Sequence, residues 1–254
     1  MIKRKRLKRK ISSKKPSKTP EDKGAPIHVA VIPDGNRRWA RKRGFSPWIG
    51  HQSGMNNLEK LLEKAMDLGV KCFTFWGASQ DNLTKRPKRE VNFLYKVFDR
   101  QIRKALNDKR IEKNKVKVNF FGRWKDFFPK NTQVAIHQLT KKTRTFNKHV
   151  LTFLLAYNGT DEMINCVEEI SKKGIKKVSK DTIKNHLWTK DLPPVDLVIR
   201  TGCEEDPHMS AGFMMWDTAY SQLYFTKTLF PAFTPKEFEK IIKNFSKRER
   251  RMGK

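Results

Sequence analysis

The sequence predicts an α/β domain: a single, mainly parallel central sheet of about six strands covered by helices. Three observations carry that reading. Short apolar runs alternate with helix-period segments along the chain. One run, Val150 to Tyr157, is continuously apolar, as a parallel strand buried on both faces requires. Polar and charged residues follow the runs directly, where an open parallel sheet collects its ligands.

The first run, Val29 to Ile32, stops at Pro33, turns at Asp34-Gly35-Asn36 and enters a helix carrying Arg37, Arg38, Arg41 and Lys42. Gly44 to Pro47 breaks that helix. The next starts near Gly50, places Leu58, Leu61, Leu62, Ala65 and Met66 on one face, and ends at Gly69. Val70 to Trp76 is a second strand, running into a polar loop, Ser79-Gln80-Asp81-Asn82. Val91, Leu94, Phe98 and Ile102 mark a long helix, Val116 to Phe121 a strand, and Val134 to Thr145 a helix. After the apolar run come helices at 161–172 and 181–188, then strands at 195–199 and 222–226. Thr234-Pro235-Lys236-Glu237 is a capping box with proline at the first helical position.

Composition bounds the partners. The 254 residues carry a net charge of +30, and residues 1–26 alone hold 11 Lys or Arg against 2 acids. That basic segment has almost nothing to bury and is expected to be a disordered arm ahead of a catalytic domain at 27–254. Such a field attracts polyanions: diphosphates, anionic lipid surfaces as a peripheral contact, or nucleic acid nonspecifically. No RNP, zinc-finger or helix-turn-helix pattern is present in the body. Cys72, Cys166 and Cys203 match no zinc spacing, and no apolar run is long enough to span a bilayer or form a signal-peptide core, so a cytoplasmic protein is expected.

The turn at Asp34 reads as an anion site. Gly35 lets the backbone come close, and Arg37 and Arg38 offer charge-assisted bonds to phosphate oxygens. A carboxylate there is repelled by phosphate unless a hard cation such as Mg2+ bridges the two. The alternative is an ordinary turn with Asp34 as a helix cap. Because Asp34, Ser79, Asn82, Tyr157 and Arg200 all follow strand ends, they are expected at one edge of the sheet. Two anion sites result, one at Gly35, Asn36, Arg37 and Arg38 with Arg86, the other at Arg200 with Thr201-Gly202, His208 and Ser210.

The segment His28 to Ala40 resembles the signature of the cis-prenyltransferase family, and matches recur in order. They are Gly50-His51 with Gly54; Ser79, Asp81 and Asn82 followed by Arg86-Pro87; Tyr157, Gly159 and Glu162; Asp196 to Gly202 with Glu204; Trp216 with Ala219-Tyr220; Leu223 to Thr226; and Arg248, Arg250, Arg251 and Gly253. The resemblance implies condensation of isopentenyl diphosphate with an allylic prenyl diphosphate in a homodimer using Mg2+. It implies Asp34 and Asn82 as catalytic residues, Asp34 also as metal ligand and Asn82 in proton removal. Substrate-binding residues would be Gly35, Asn36, Arg37, Arg38, Trp39, His51, Ser79, Gln80, Asp81, Arg86, Arg200, His208, Met209 and Ser210. It also implies an apolar tunnel, which Phe75, Trp76, Leu94, Phe98, Phe153 and Leu155 are candidates to line. The sequence departs from the pattern at Pro33, Pro47, Leu83-Thr84 and Thr160, in a lengthened 204–216 loop that puts His208 where an arginine is usual, and at Gln222 in place of a metal-binding Glu. A noncatalytic partner subunit would usually have lost the carboxylate at position 34.

Overall fold

The computed structural model describes residues 24–247. Residues 1–23 of the expected 1–26 arm and the matches from Arg248 to Gly253 lie outside the described residues. Six strands form one all-parallel sheet in the order β3-β4-β2-β1-β5-β6: β1 His28–Ile32, β2 Cys72–Ala78, β3 Val116–Phe121, β4 His149–Leu155, β5 Leu197–Arg200 and β6 Gln222–Phe225. Helices α1 Asn36–Arg41, α2 Pro47–Asp67, α3 Gln80–Thr84, α4 Lys88–Leu106, α5 Lys109–Lys113, α6 Trp124–Phe127, α7 Lys130–Thr143, α8 Gly159–Lys172, α9 Lys180–His186 and α10 Pro235–Phe245 cover it.

Strand alternation sorts the side chains into two cores. Val29, Val31, Phe73 and Phe75 face one side and pack with Leu58 and Leu61 of α2, Val91 and Phe98 of α4, Ile136 and Leu139 of α7, and Phe238 and Ile241 of α10. Ala30, Ile32, Trp76 and Leu154 face the other, where they meet Tyr157, Phe213 and Met214. All five residues of β1 are buried, as a central parallel strand demands.

The differences from the sequence reading have local causes. The expected loop at 79–82 winds into α3, because the Ser79 side chain accepts the Asn82 N–H and caps it. Pro47 starts α2 rather than ending the preceding turn, a position its fixed φ suits. β4 closes at Leu155 because Ala156 takes φ 49°. Helices α5 and α6, of 5 and 4 residues, are too short for periodicity to register.

Candidate active site

β1 is the switch point of the sheet. The chain runs from it through β2 toward β3 on one side, and its other neighbour is β5. The crevice of an open α/β sheet lies at the carboxyl ends of strands that part in this way. Asp34 follows β1 and Arg200 ends β5, with Ile32 and Arg200 as register partners. The Arg200 Nη2 donates to Asp34 Oδ2 at 3.3 Å across the crevice, and Asp34 Oδ1 accepts the Gly35 N–H at 2.5 Å. The carboxylate is thus oriented from both sides while its side chain remains 44% exposed. Asp34 is not a side-chain cap: Gly35, at φ 98°, occupies the N-cap position, and a Cβ there would meet Leu229.

Two glycines set the floor. A Cβ on Gly50 would lie 2.0 Å from the Asn36 carbonyl oxygen, and one on Gly54 2.3 Å from Asn36 Oδ1. The Gly50-His51-x-x-Gly54 pattern therefore lets α2 close onto α1 and carries His51 into the cavity. There His51 Nε2 donates to Glu90 Oε1 at 3.2 Å, Arg86 Nη1 donates to the same oxygen at 3.2 Å, and Arg37 Nε stands 3.7 Å from it. Burial lowers the His51 pKa, so the ring is neutral, whereas the His51 hydrogen bond and the nearby arginines hold the Glu90 carboxyl below its usual range. Glu90 is the buried anion that gathers the cationic side chains, and the sequence reading passed over it. The signal available was its spacing of four from Arg86 in the first turn of α4.

At the other flank Arg200 is buried, and its Nη1 donates to the His208 carbonyl and to Ser210 Oγ, both at 2.8 Å. The Tyr157-x-Gly159-x-x-Glu162 pattern supports that loop. A Cβ on Gly159 would fall 1.8 Å from the Gly212 carbonyl oxygen, and the Gly159 N–H bonds Ala211. Tyr157 donates to Glu162 at 2.5 Å, and Glu162 accepts from Thr189, whose hydroxyl also meets Asp217. Burial raises both the Tyr157 and the Glu162 pKa. These groups form the framework behind the site.

The cavity encloses about 1010 Å3 including its mouth and is lined by Asp34, Asn36, His51, Ser79, Asn82, Arg86, Arg200 and Ser210. Phe75, Trp76, Leu94 and Phe98 form its apolar side. Arg37 and Arg38 stand at its edge, Arg38 bonded to the Gly202 carbonyl and within 3.5 Å of both Asp34 and Glu204. Other expected residues lie elsewhere. Asp81 is exposed and pairs with Lys85 at 2.9 Å, Gln80 opens α3 without lining the cavity, and Trp39 stacks under Arg43. The His208 ring turns to Asp206 and only its carbonyl meets Arg200, while Met209 packs against the second core. Gln222 opens β6 opposite Leu197, three residues from the carboxyl edge where Phe225 pairs with Arg200.

A second, apolar cavity of about 1100 Å3 including its mouth runs between α2, α4 and the sheet, and shares Met55 and Phe98 with the first. Leu58, Leu62, Phe73, Ile102, Val118 and Phe153 are among its walls. Of the tunnel candidates, Phe98 and Phe153 line it. Leu155 lines neither cavity and is fully buried in the core.

Polar atoms without partners point into this architecture. Arg37 Nε, Arg200 Nε and Asn36 Oδ1 are buried and without a hydrogen-bond partner among the described residues. Such guanidinium donors on both flanks of Asp34 suit an oxyanion with several acceptors. Among the described residues no three His, Cys, Asp or Glu side chains converge as a metal cage. A lone, half-exposed carboxylate matches the way Mg2+ is held, by one or two carboxylates together with phosphate oxygens.

Comparison with known proteins agrees with this arrangement. A family model described as putative undecaprenyl diphosphate synthase matches residues 32–253. The tritrans,polycis-undecaprenyl-diphosphate synthase (geranylgeranyl-diphosphate specific) of Pyrococcus horikoshii is 38% identical over 235 residues, covering 90% of this chain and 87% of that protein. The isoprenyl transferase of Thermotoga maritima is 37% identical over 232 residues, covering 90% and 97%. The structure of lavandulyl diphosphate synthase from Lavandula x intermedia in complex with dimethylallyl diphosphate superposes with TM-score 0.84 at 28% identity, covering 91% of this chain and 99% of that one. A probable undecaprenyl diphosphate synthase from Campylobacter jejuni superposes at 0.74, also with 28% identity, covering 90% and 99%. The chain belongs to the undecaprenyl diphosphate synthase family of cis-prenyltransferases.

Proposed function

We propose that the protein condenses isopentenyl diphosphate with an allylic prenyl diphosphate to make a polyprenyl diphosphate, with Mg2+ as cofactor and Asp34 as its protein ligand. The observation that carries the residue assignment is the pair of cationic flanks around one carboxylate, beside an apolar cavity with which the site shares the Met55 and Phe98 walls. The allylic diphosphate is assigned to the flank of Asn36, Arg37, Arg38, His51 and Arg86, and isopentenyl diphosphate to Arg200 and Ser210.

In this reading the allylic C–O bond breaks with its electron pair leaving on the diphosphate. The isopentenyl double bond forms the new C–C bond, and a proton leaves the adjacent carbon. Mg2+ would neutralise charge on the departing diphosphate. Arg37, Arg38 and Arg86 stabilise the same charge from the protein side, and Glu90 keeps Arg86 aimed at it. Arg200, locked by Ser210, the His208 carbonyl and Asp34, fixes the second substrate against the first. A neutral amide is a poor base, so Asn82 orients a diphosphate oxygen or water that accepts the proton. Phe98 and the apolar cavity receive the growing tail and exclude water.

The arrangement also argues against a noncatalytic subunit, because Asp34 is retained and oriented. Assembly as a homodimer is part of the proposal, on the family's pattern. The names of the archaeal relatives specify geranylgeranyl diphosphate, so an allylic primer of that class is the first to try. The test is incubation with labelled isopentenyl diphosphate and allylic primers of increasing length, followed by chromatography of the extracted products. A ladder of polyprenyl diphosphates in the presence of Mg2+ supports the reading, and the absence of extractable label with every primer refutes it.

A further inference from the structure

A shallow groove between the start of α2 and α4 plays no part in the chemistry above. It is lined by Trp48 from the first turn of α2 and by Arg89, Asn92, Phe93 and Lys96 of α4. The Trp48 and Phe93 ring centroids lie 6.2 Å apart, so the floor is aromatic. Beside Trp48 in sequence, two further apolar side chains are exposed, Ile49 at 40% in the first turn of α2 and Phe45 at 50% in the connection that precedes it. The exposed cations Arg89 and Lys96 line the groove, and Arg41 and Lys42, at the end of α1 shortly before Phe45, are exposed too, while Arg43 lies over Trp39. Arg89 and Lys96 have no ion-pair partner among the described residues, and no acid lines the groove.

We propose that this face docks on the surface of an anionic lipid bilayer. Two physical requirements of such a contact are met together. Aromatic rings and short apolar side chains are the groups that settle at the headgroup level, and unpaired Lys and Arg supply attraction to anionic headgroups within a Debye length. A nucleic acid would use the cations and could stack bases on the aromatic rings, but it gains nothing from exposed Ile49, and an aliphatic side chain among the rings favours lipid. Residues of α4 line both the groove and the cavity, so a chain that makes an amphiphile would do so beside the phase that dissolves it. The docking claim stands on this surface alone and does not depend on the condensation reading, since its test measures binding.

The experiment is co-sedimentation of the full chain with vesicles of phosphatidylcholine alone, or with about a third phosphatidylglycerol, at physiological salt. Three proteins are compared: wild type, Arg89→Glu with Lys96→Glu, and Phe45→Ser with Ile49→Ser. All retain residues 1–23, so any binding by that basic segment is common to all three. Melting curves confirm that each variant is folded. The expected result is preference of the wild type for anionic vesicles, a fall in partition of about tenfold or more for the charge-reversed pair, and a fall of about fivefold for the serine pair. Wild-type partition in either variant overturns the proposal; loss in the charge variant alone would mark a nonspecific electrostatic surface, of the kind RNA also binds.

Discussion

Replacing Glu90 by Gln tests the idea that one buried carboxylate organises the first cationic flank. The substitution keeps the shape and one acceptor oxygen but removes the charge that faces Arg86 at 3.2 Å and Arg37 at 3.7 Å. The Arg37 contribution is small, because its side chain is 38% exposed and the contact is longer than a hydrogen bond. Arg86 is only 20% exposed, so its lost charge-assisted bond costs about 1.5–3 kcal/mol. At 2–4 °C per kcal/mol for a chain of this size, the melting temperature should fall by roughly 3–12 °C. A bound diphosphate restores a counter-charge beside Arg86, so saturating inorganic diphosphate with Mg2+ should recover at least half of that deficit. Differential scanning fluorimetry of both proteins, with and without diphosphate, reads both effects. A melting temperature within about 1 °C of wild type, or a deficit that diphosphate leaves unchanged, refutes the reasoning.

Three other perturbations follow from the geometry. Gly54→Ala places a Cβ 2.3 Å from Asn36 Oδ1, and should cost about 1–3 kcal/mol of stability and slow turnover by shifting Asn36, checked by calorimetry and steady-state rates. Arg200→Lys keeps the charge but loses the fork that reaches Ser210, the His208 carbonyl and Asp34, so kcat/KM for isopentenyl diphosphate should drop by about 30-fold, or 2 kcal/mol. Burial lowers the pKa of His28, His51 and His149 from 6.5, so the unfolded chain binds protons that the folded one does not. Their stabilisation is complete above about pH 6.5 and is lost as pH falls below it; Glu90, also lowered, adds to the loss at more acidic pH, and Glu162, raised, opposes it. Melting temperature should therefore decline between pH 7.5 and 5.5, and a flat profile would contradict the assignment.

The sheet was legible because β1, β2 and β4 are apolar on both faces and the turn residues after them are punctuated by Pro33, Ser79 and Gly159. The placement of Asp34 beside Arg200 was legible too, since both residues end strands. Glu90 was not, because a glutamate in the first turn of a helix ordinarily faces water, and only the packing of α2 against α4 buries it. His208 illustrates the opposite failure: its position in the loop suggested an anion contact, but Asp206 holds the ring and the backbone carbonyl takes the place near Arg200. Asp81 and Gln80 were grouped with Ser79 and Asn82 as one loop, yet in the helical winding of α3 the cavity is lined by Ser79 and Asn82, three residues apart, and not by the two between them. Tunnel wall and core share the same apolar alphabet, which is why Phe153 and Leu155, two residues apart on β4, could not be separated before the fold was known.

The most direct test of the account is Mg2+-dependent incorporation of labelled isopentenyl diphosphate by wild type and by Asp34→Ala, with circular dichroism confirming the fold of both. Among the described residues Asp34 is the carboxylate that lines the cavity and touches Arg200, and it is the proposed metal ligand, so its removal should reduce the rate by about 100-fold or more at saturating Mg2+. An Asp34→Ala protein that elongates the primer at a rate comparable to wild type would contradict the account.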